Sequence, residues 1–77
     1  MNLQESLFAP KREPLNVSLK VEHLKTSRVC LVAAINAALL QAGHKSEASE
    51  FLRGCRSLDV HGVIRHAKDF LHLEDQP

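Results

Sequence analysis

Between Arg28 and Ala42 the chain reads RVCLVAAINAALLQA, and only Arg28, Asn36 and Gln41 are polar. Thr26 or Ser27 can cap a helix starting there, and Gly43 is a natural exit because it takes positive φ without strain. The spacing predicts a helix from about Arg28 to Ala42. At about 100° per residue, Leu31, Val32, Ile35, Leu39, Val29 and Leu40 fill half of its circumference. Cys30, Ala33, Ala34, Ala37 and Ala38 make much of the rest small and apolar. A helix apolar nearly all round is normally covered on most sides. The chain has 77 residues, and one core of that size rarely contributes more than about 3–5 kcal/mol. Little material remains to wrap such a helix. Either it is the central element with everything else packed on it, or its alanine side meets another subunit. Small residues let two backbones approach closely, so the expectation is a homo-oligomer with Ala33, Ala34, Ala37 and Ala38 in the interface. Asn36 falls in the large-apolar arc. If buried it needs a bonding partner, either a nearby backbone group or a copy of itself across a symmetric helix pair.

Around this helix the pattern changes period. Leu15, Val17, Leu19 and Val21 alternate with Asn16, Ser18, Lys20 and Glu22, the signature of a half-buried strand. Pro14 cannot donate to a ladder and suits the strand's start. Residues 1–14 carry two prolines and a KRE triplet without period, and read as a flexible arm. Leu3, Leu7 and Phe8 within it suit either the edge of the core or a partner. After Gly43, Ser46 can cap a second helix of about ten residues with Ala48, Phe51, Leu52 and Cys55 on its apolar side. Asp59 can cap a third, with Val60, Val63, Ile64 and Ala67 inward and Gly62 weakening it by about 1 kcal/mol. Phe70 to Glu74 reads as a helix end passing into a short strand. The expected fold is α+β and mostly helical: strand, long helix, two short helices and a short strand in one domain over 15–75.

Chemistry is hard to find in this residue set. The possible metal ligands Cys30, His44, Cys55, His61, His66 and His72 form none of the spacings that aim two side chains at one ion. His61 and His66 are about 500° apart around a helix, hence on different sides. Both cysteines read as small buried hydrophobes, and Cys55, on a core-facing position, is a poor nucleophile. Phosphate loops and a nucleophile elbow are absent. The expectation is a non-enzyme with no catalytic, metal or cofactor-binding residues. Ten basic residues against nine acidic give a net charge of +1, weak for a nucleic-acid binder. No apolar run reaches roughly 18 residues and no signal-peptide core is present, so a soluble cytoplasmic protein without membrane contact is expected. Arg53, Arg56, Arg65 and Lys68 project from the two short helices and are candidates for binding an acidic surface. A ribbon-helix-helix reading is the alternative. It takes LNVSLKV as the paired strand, Asn16, Ser18 and Lys20 as base readers, and amides near Ser46 as a phosphate seat.

From about Ser27 to Glu74 the chain resembles a family of small uncharacterised proteins of bacteria and their phages. The resemblance rests on AALLQAG at Ala37 to Gly43, SEASEFL at Ser46 to Leu52, LDVHGVIRHA at Leu58 to Ala67 and FLHLE at Phe70 to Glu74. Val60 replaces the aromatic of the family's acidic turn, and His72 stands where its last strand has Asp. The resemblance implies a compact strand–helices–strand domain in a phage or mobile-element setting, in the host cytoplasm if phage-encoded, with no catalytic residue. In that setting the partner is a host or phage protein, and an inhibitor of a host defence system fits the size.

Overall fold

The computed structural model describes residues 14–76. Leu3, Leu7, Phe8 and the rest of the expected arm before Pro14 lie outside the described residues. The chain is an α+β domain. Strand β1 (Leu15–Val21) leads through one turn of 3-10 helix at His23–Lys25 into α1 (Arg28–Gln41). Helices α2 (Lys45–Gly54) and α3 (Val60–Ala67) follow, and β2 (Leu71–Asp75) closes the order.

Local chemistry explains most of the boundaries. The Ser27 hydroxyl accepts from the Cys30 N–H at 3.2 Å and starts α1. Gly43, at φ +86°, ends it, and the Gly43 and His44 amides donate back to the Leu40 and Leu39 carbonyls. Asp59 Oδ1 accepts from the Gly62 N–H at 2.8 Å and starts α3. Helix α2 departs from expectation. His44 occupies its N-cap without a side-chain cap bond, and Ser46 lies inside the first turn. Glu47 stands in that turn, 3.9 Å from His44 Nδ1, where a carboxylate complements the positive helix end.

The two strands pair in parallel, with Leu19 opposite Leu73 and Lys20 opposite Glu74. A parallel pair needs a long crossover, and the three helices supply it. Register is irregular at the start of β1: Leu15 faces Leu71 and Ser18 faces the next residue, His72. Leu71 and Leu73 turn to the helices and are buried, whereas His72 and Glu74 face solvent. The core collects the least accessible large side chains, Phe51, Leu31, Ile35, Leu39, Leu71 and Val63. Fully covering one such side chain contributes about 1.5–3 kcal/mol.

Helix α1 buries less than its composition suggests. Leu31, Ile35 and Leu39, at i, i+4 and i+8, form its only buried stripe. Val29 and Leu40, expected within the buried arc, are 73% and 45% exposed. Both sit about 120–140° around the helix from Ile35 at the middle of that stripe, so turning one stripe inward turns them out. Cys30, expected to be buried, is exposed for the same reason. Leu52, expected on the apolar side of α2, is also exposed, while Cys55 is buried and Leu58 packs against the core. Asn36 is half-buried at the edge of the stripe.

Candidate interaction surface

The face of α1 opposite its buried stripe carries Val29, Cys30, Ala33, Ala34, Ala37, Leu40 and Gln41, all exposed. Six of the seven are apolar or weakly polar, and none is charged. Of the four alanines expected at an interface, Ala33, Ala34 and Ala37 lie here. Ala38 is half-buried and packs against the core. Leu24, in the 3-10 turn before α1, adds another uncovered side chain at 72% exposure. Scattered apolar residues are ordinary on a protein surface, but a contiguous apolar face marks a contact site.

The inner side of the same helix is anchored by a polar contact that sequence spacing does not reveal. Arg28, the first residue of α1, reaches across to the turn between α2 and α3. Its Nε donates to the Leu58 carbonyl at 2.6 Å, and a terminal nitrogen donates to the Cys55 carbonyl. The guanidinium thus supplies a donor to the loop carbonyl of Leu58 and a second donor to that of Cys55, which also accepts from the Leu58 N–H at 3.1 Å. Its fork of donors suits two acceptors at once. Burial pushes the Cys55 thiol above the ordinary cysteine range, and the positive Arg28 opposes part of that rise. A protonated, buried thiol is a weak nucleophile.

His66 is also structural in its placement. Its ring stacks on Phe51 with centroids 5.3 Å apart and meets Phe70 edge-on at 5.1 Å. Phe51 and Phe70 meet each other at 72° and 5.8 Å, which closes a three-ring cluster between α2, α3 and the start of β2. With its proton on Nε2, His66 donates to the Phe51 carbonyl across 3.2 Å. The spacing of His66 and Phe70, four residues apart, was the available signal. The third ring comes from another helix and left none. Among the described residues, no three His, Cys, Asp or Glu side chains converge as a metal site.

The four candidate cations are exposed but do not all belong to one element. Arg53 is in the last turn of α2 and Arg65 in the last turn of α3, where a positive charge suits the negative helix end. Arg56 lies in the turn after α2. Lys68 caps α3 and stands with strand residues instead. It lines a shallow groove of about 510 Å³ together with Pro14, Ser18, Lys20, His72 and Glu74. Lys20 and Glu74 face each other there at 3.9 Å, both largely in solvent. Such a pair contributes about 0–1 kcal/mol.

The ribbon-helix-helix reading meets a specific geometry. Asn16, Ser18 and Lys20 do face outward on β1. Their strand, however, is laddered to β2 of its own chain in parallel, whereas that fold pairs the strand with a copy. No described helix is long and apolar enough to cross a membrane. Comparison with protein-family models, with curated proteins and with solved structures finds no match for the chain.

Proposed function

We propose that the chain is a non-enzymatic protein-interaction module that works as a homo-oligomer and docks through the outward face of α1. The observation supporting this reading is the uncovered row Val29, Ala33, Ala37 and Leu40, which repeats at i, i+4, i+8 and i+11 along one side of the helix. Small central residues with a larger one at each end suit close approach of a second helix. Covering a side chain such as Val29 contributes about 1.5–3 kcal/mol that the single chain leaves unused. The partner at this face is a second copy or, in the bacterial or phage setting that the resemblance implies, a host or phage protein with a matching apolar surface. Arg53, Arg56 and Arg65 then serve as contacts for acidic groups of such a protein. The test is light scattering after size-exclusion of the full chain beside the Ala33→Glu, Ala37→Glu double variant. Assembly of the wild type, with a variant of smaller assembled mass and unchanged thermal melting, is the expected result. A wild-type chain that stays single at millimolar concentration removes the reading.

A further inference from the structure

We infer that a second copy of this chain pairs with β2 along its outer edge, making a four-stranded sheet in the order β1-β2-β2-β1. This goes beyond the α1 contact and shares no residue with it, so one molecule can use both.

A two-stranded sheet is marginal in water, and each strand here has a single ladder neighbour among the described residues. The two outer edges are not equivalent. The β1 edge begins at Pro14, which has no N–H, and its register is broken between Leu15 and Ser18. Irregular pairing and proline are the devices that blunt an edge. The β2 edge is regular over its whole length and has neither.

The end bonds of the ladder show which groups β2 leaves outward. The Leu15 N–H donates to the Phe70 carbonyl at 2.8 Å, and the Gln76 N–H donates to the Val21 carbonyl at 2.7 Å. Backbone direction alternates along a strand, so the even-numbered residues of β2 turn their N–H and C=O to β1. Leu71 and Leu73 therefore present theirs to the open side.

Charge then selects the register. Two copies of β2 related by a two-fold axis run antiparallel, and the axis can pass through His72, Leu73 or Glu74. An axis at Glu74 sets two carboxylates directly opposite, which is destabilising. An axis at His72 sets two imidazoles opposite and leaves the end of the strand unused. An axis at Leu73 uses the whole strand. Leu73 then exchanges both N–H···O=C bonds with its copy, and His72 faces Glu74 of the second copy twice, as a non-hydrogen-bonded pair with the closer side-chain approach. His72 and Glu74 are both exposed on the polar face and available for this. Leu73 meets Leu73 on the side of the core, which continues the apolar layer across the axis.

The test reads the strand directly. Amide exchange of Leu73 in the full-length protein, followed by NMR from dilute to concentrated solution, is expected to slow as copies pair. Residue 72 then gives opposite shifts: His72→Glu weakens association about tenfold, and His72→Lys tightens it several-fold. Both variants change an exposed side chain, so neither threatens the fold. Leu73 exchange that is independent of concentration overturns the inference, and so do two variants that shift association in the same direction. Assembly that Ala33→Glu, Ala37→Glu abolishes while Leu73 stays unprotected retains the α1 contact and removes the β2 contact. Protection at Leu73 that survives those α1 substitutions retains the β2 contact whatever becomes of the α1 contact.

Discussion

The two sides of α1 are both apolar and have opposite fates. Leu31, Ile35 and Leu39 are fully enclosed by α2, α3 and the sheet, while Val29, Ala33, Ala37 and Leu40 look outward. Hydrophobicity alone therefore did not choose the buried side. Size did. Three large side chains in one stripe reach far enough to fill the space under the sheet, and a stripe centred on alanine cannot. Among the described residues, two short helices and two short strands pack around α1, and they leave the remaining apolar face bare.

This contrast can be broken most severely from the inside. Ile35→Ala removes a fully buried side chain and should cost about 2–5 kcal/mol, comparable with the whole stability of so small a domain. Ala37→Glu on the other side should change the stability of the isolated chain by less than about 0.5 kcal/mol. Urea melts of the two variants at low concentration check the pair. Similar losses in both would mean that the outward face is not outward.

The next effect concerns the polar anchor at the start of α1. Arg28→Ala removes the side-chain donor from the Leu58 carbonyl and one of the two donors from the Cys55 carbonyl, which keeps the Leu58 N–H, and should cost about 2 kcal/mol, within the range for hydrogen bonds to a charged group. The partial exposure of the site allows water to replace some of that. Thermal unfolding measures it, and Arg28→Lys should recover less than half because a point charge cannot serve two carbonyls as the fork does.

A smaller effect tests the ring cluster behind the core stripe. A Cβ placed on Gly54 would collide with the His66 imidazole at Nε2. Helix propensity favours Ala over Gly by about 1 kcal/mol, but the ring is held by two phenylalanines and cannot move away freely. Overpacking of this kind costs about 1–3 kcal/mol. Gly54→Ala should therefore destabilise by about 1 kcal/mol alone and stabilise when His66→Ala is already present. A double-mutant cycle by urea melts reads that change of sign.

The thiols give the finest comparison. In the native chain Cys30, on the bare face, should label with iodoacetamide quickly, and Cys55 should label only as the protein opens. The pH dependence follows from the raised value of Cys55. The folded state holds that proton more tightly than the unfolded state, so the associated stability is fully present below the unfolded thiol value of about 8.5. It is lost as pH rises through the folded value. Stability measured on the alkaline side should fall more steeply for the wild type than for Cys55→Ala.

Much of this architecture was legible from residue order. The alternation from Leu15 to Val21 marked β1, and Ser27, Gly43 and Asp59 marked three helix ends because their short side chains, or the lack of one, act on the adjacent backbone. Ser46 misled for the same reason. It has the right side chain, but after the tight exit at Gly43 the next helix begins two residues earlier, with His44 at its N-cap. The interaction surface was only half legible. Ala33, Ala34 and Ala37 could be picked out as small residues, while Val29 and Leu40 joined them only once the inward stripe was known. Arg28 and the His66 cluster were silent because each joins elements far apart in sequence.

Local periodicity by itself thus determined that this chain makes a strand, one long apolar helix, two amphipathic helices and a second strand. It also determined that α1 is apolar nearly all round. The tertiary structure decided the parallel pairing of β1 with β2, the side of α1 that points inward and, among the described residues, the unpaired outer edge of β2. Those outcomes depend on which surfaces meet across long stretches of chain, and side-chain volume and backbone direction settle that only when the elements pack together.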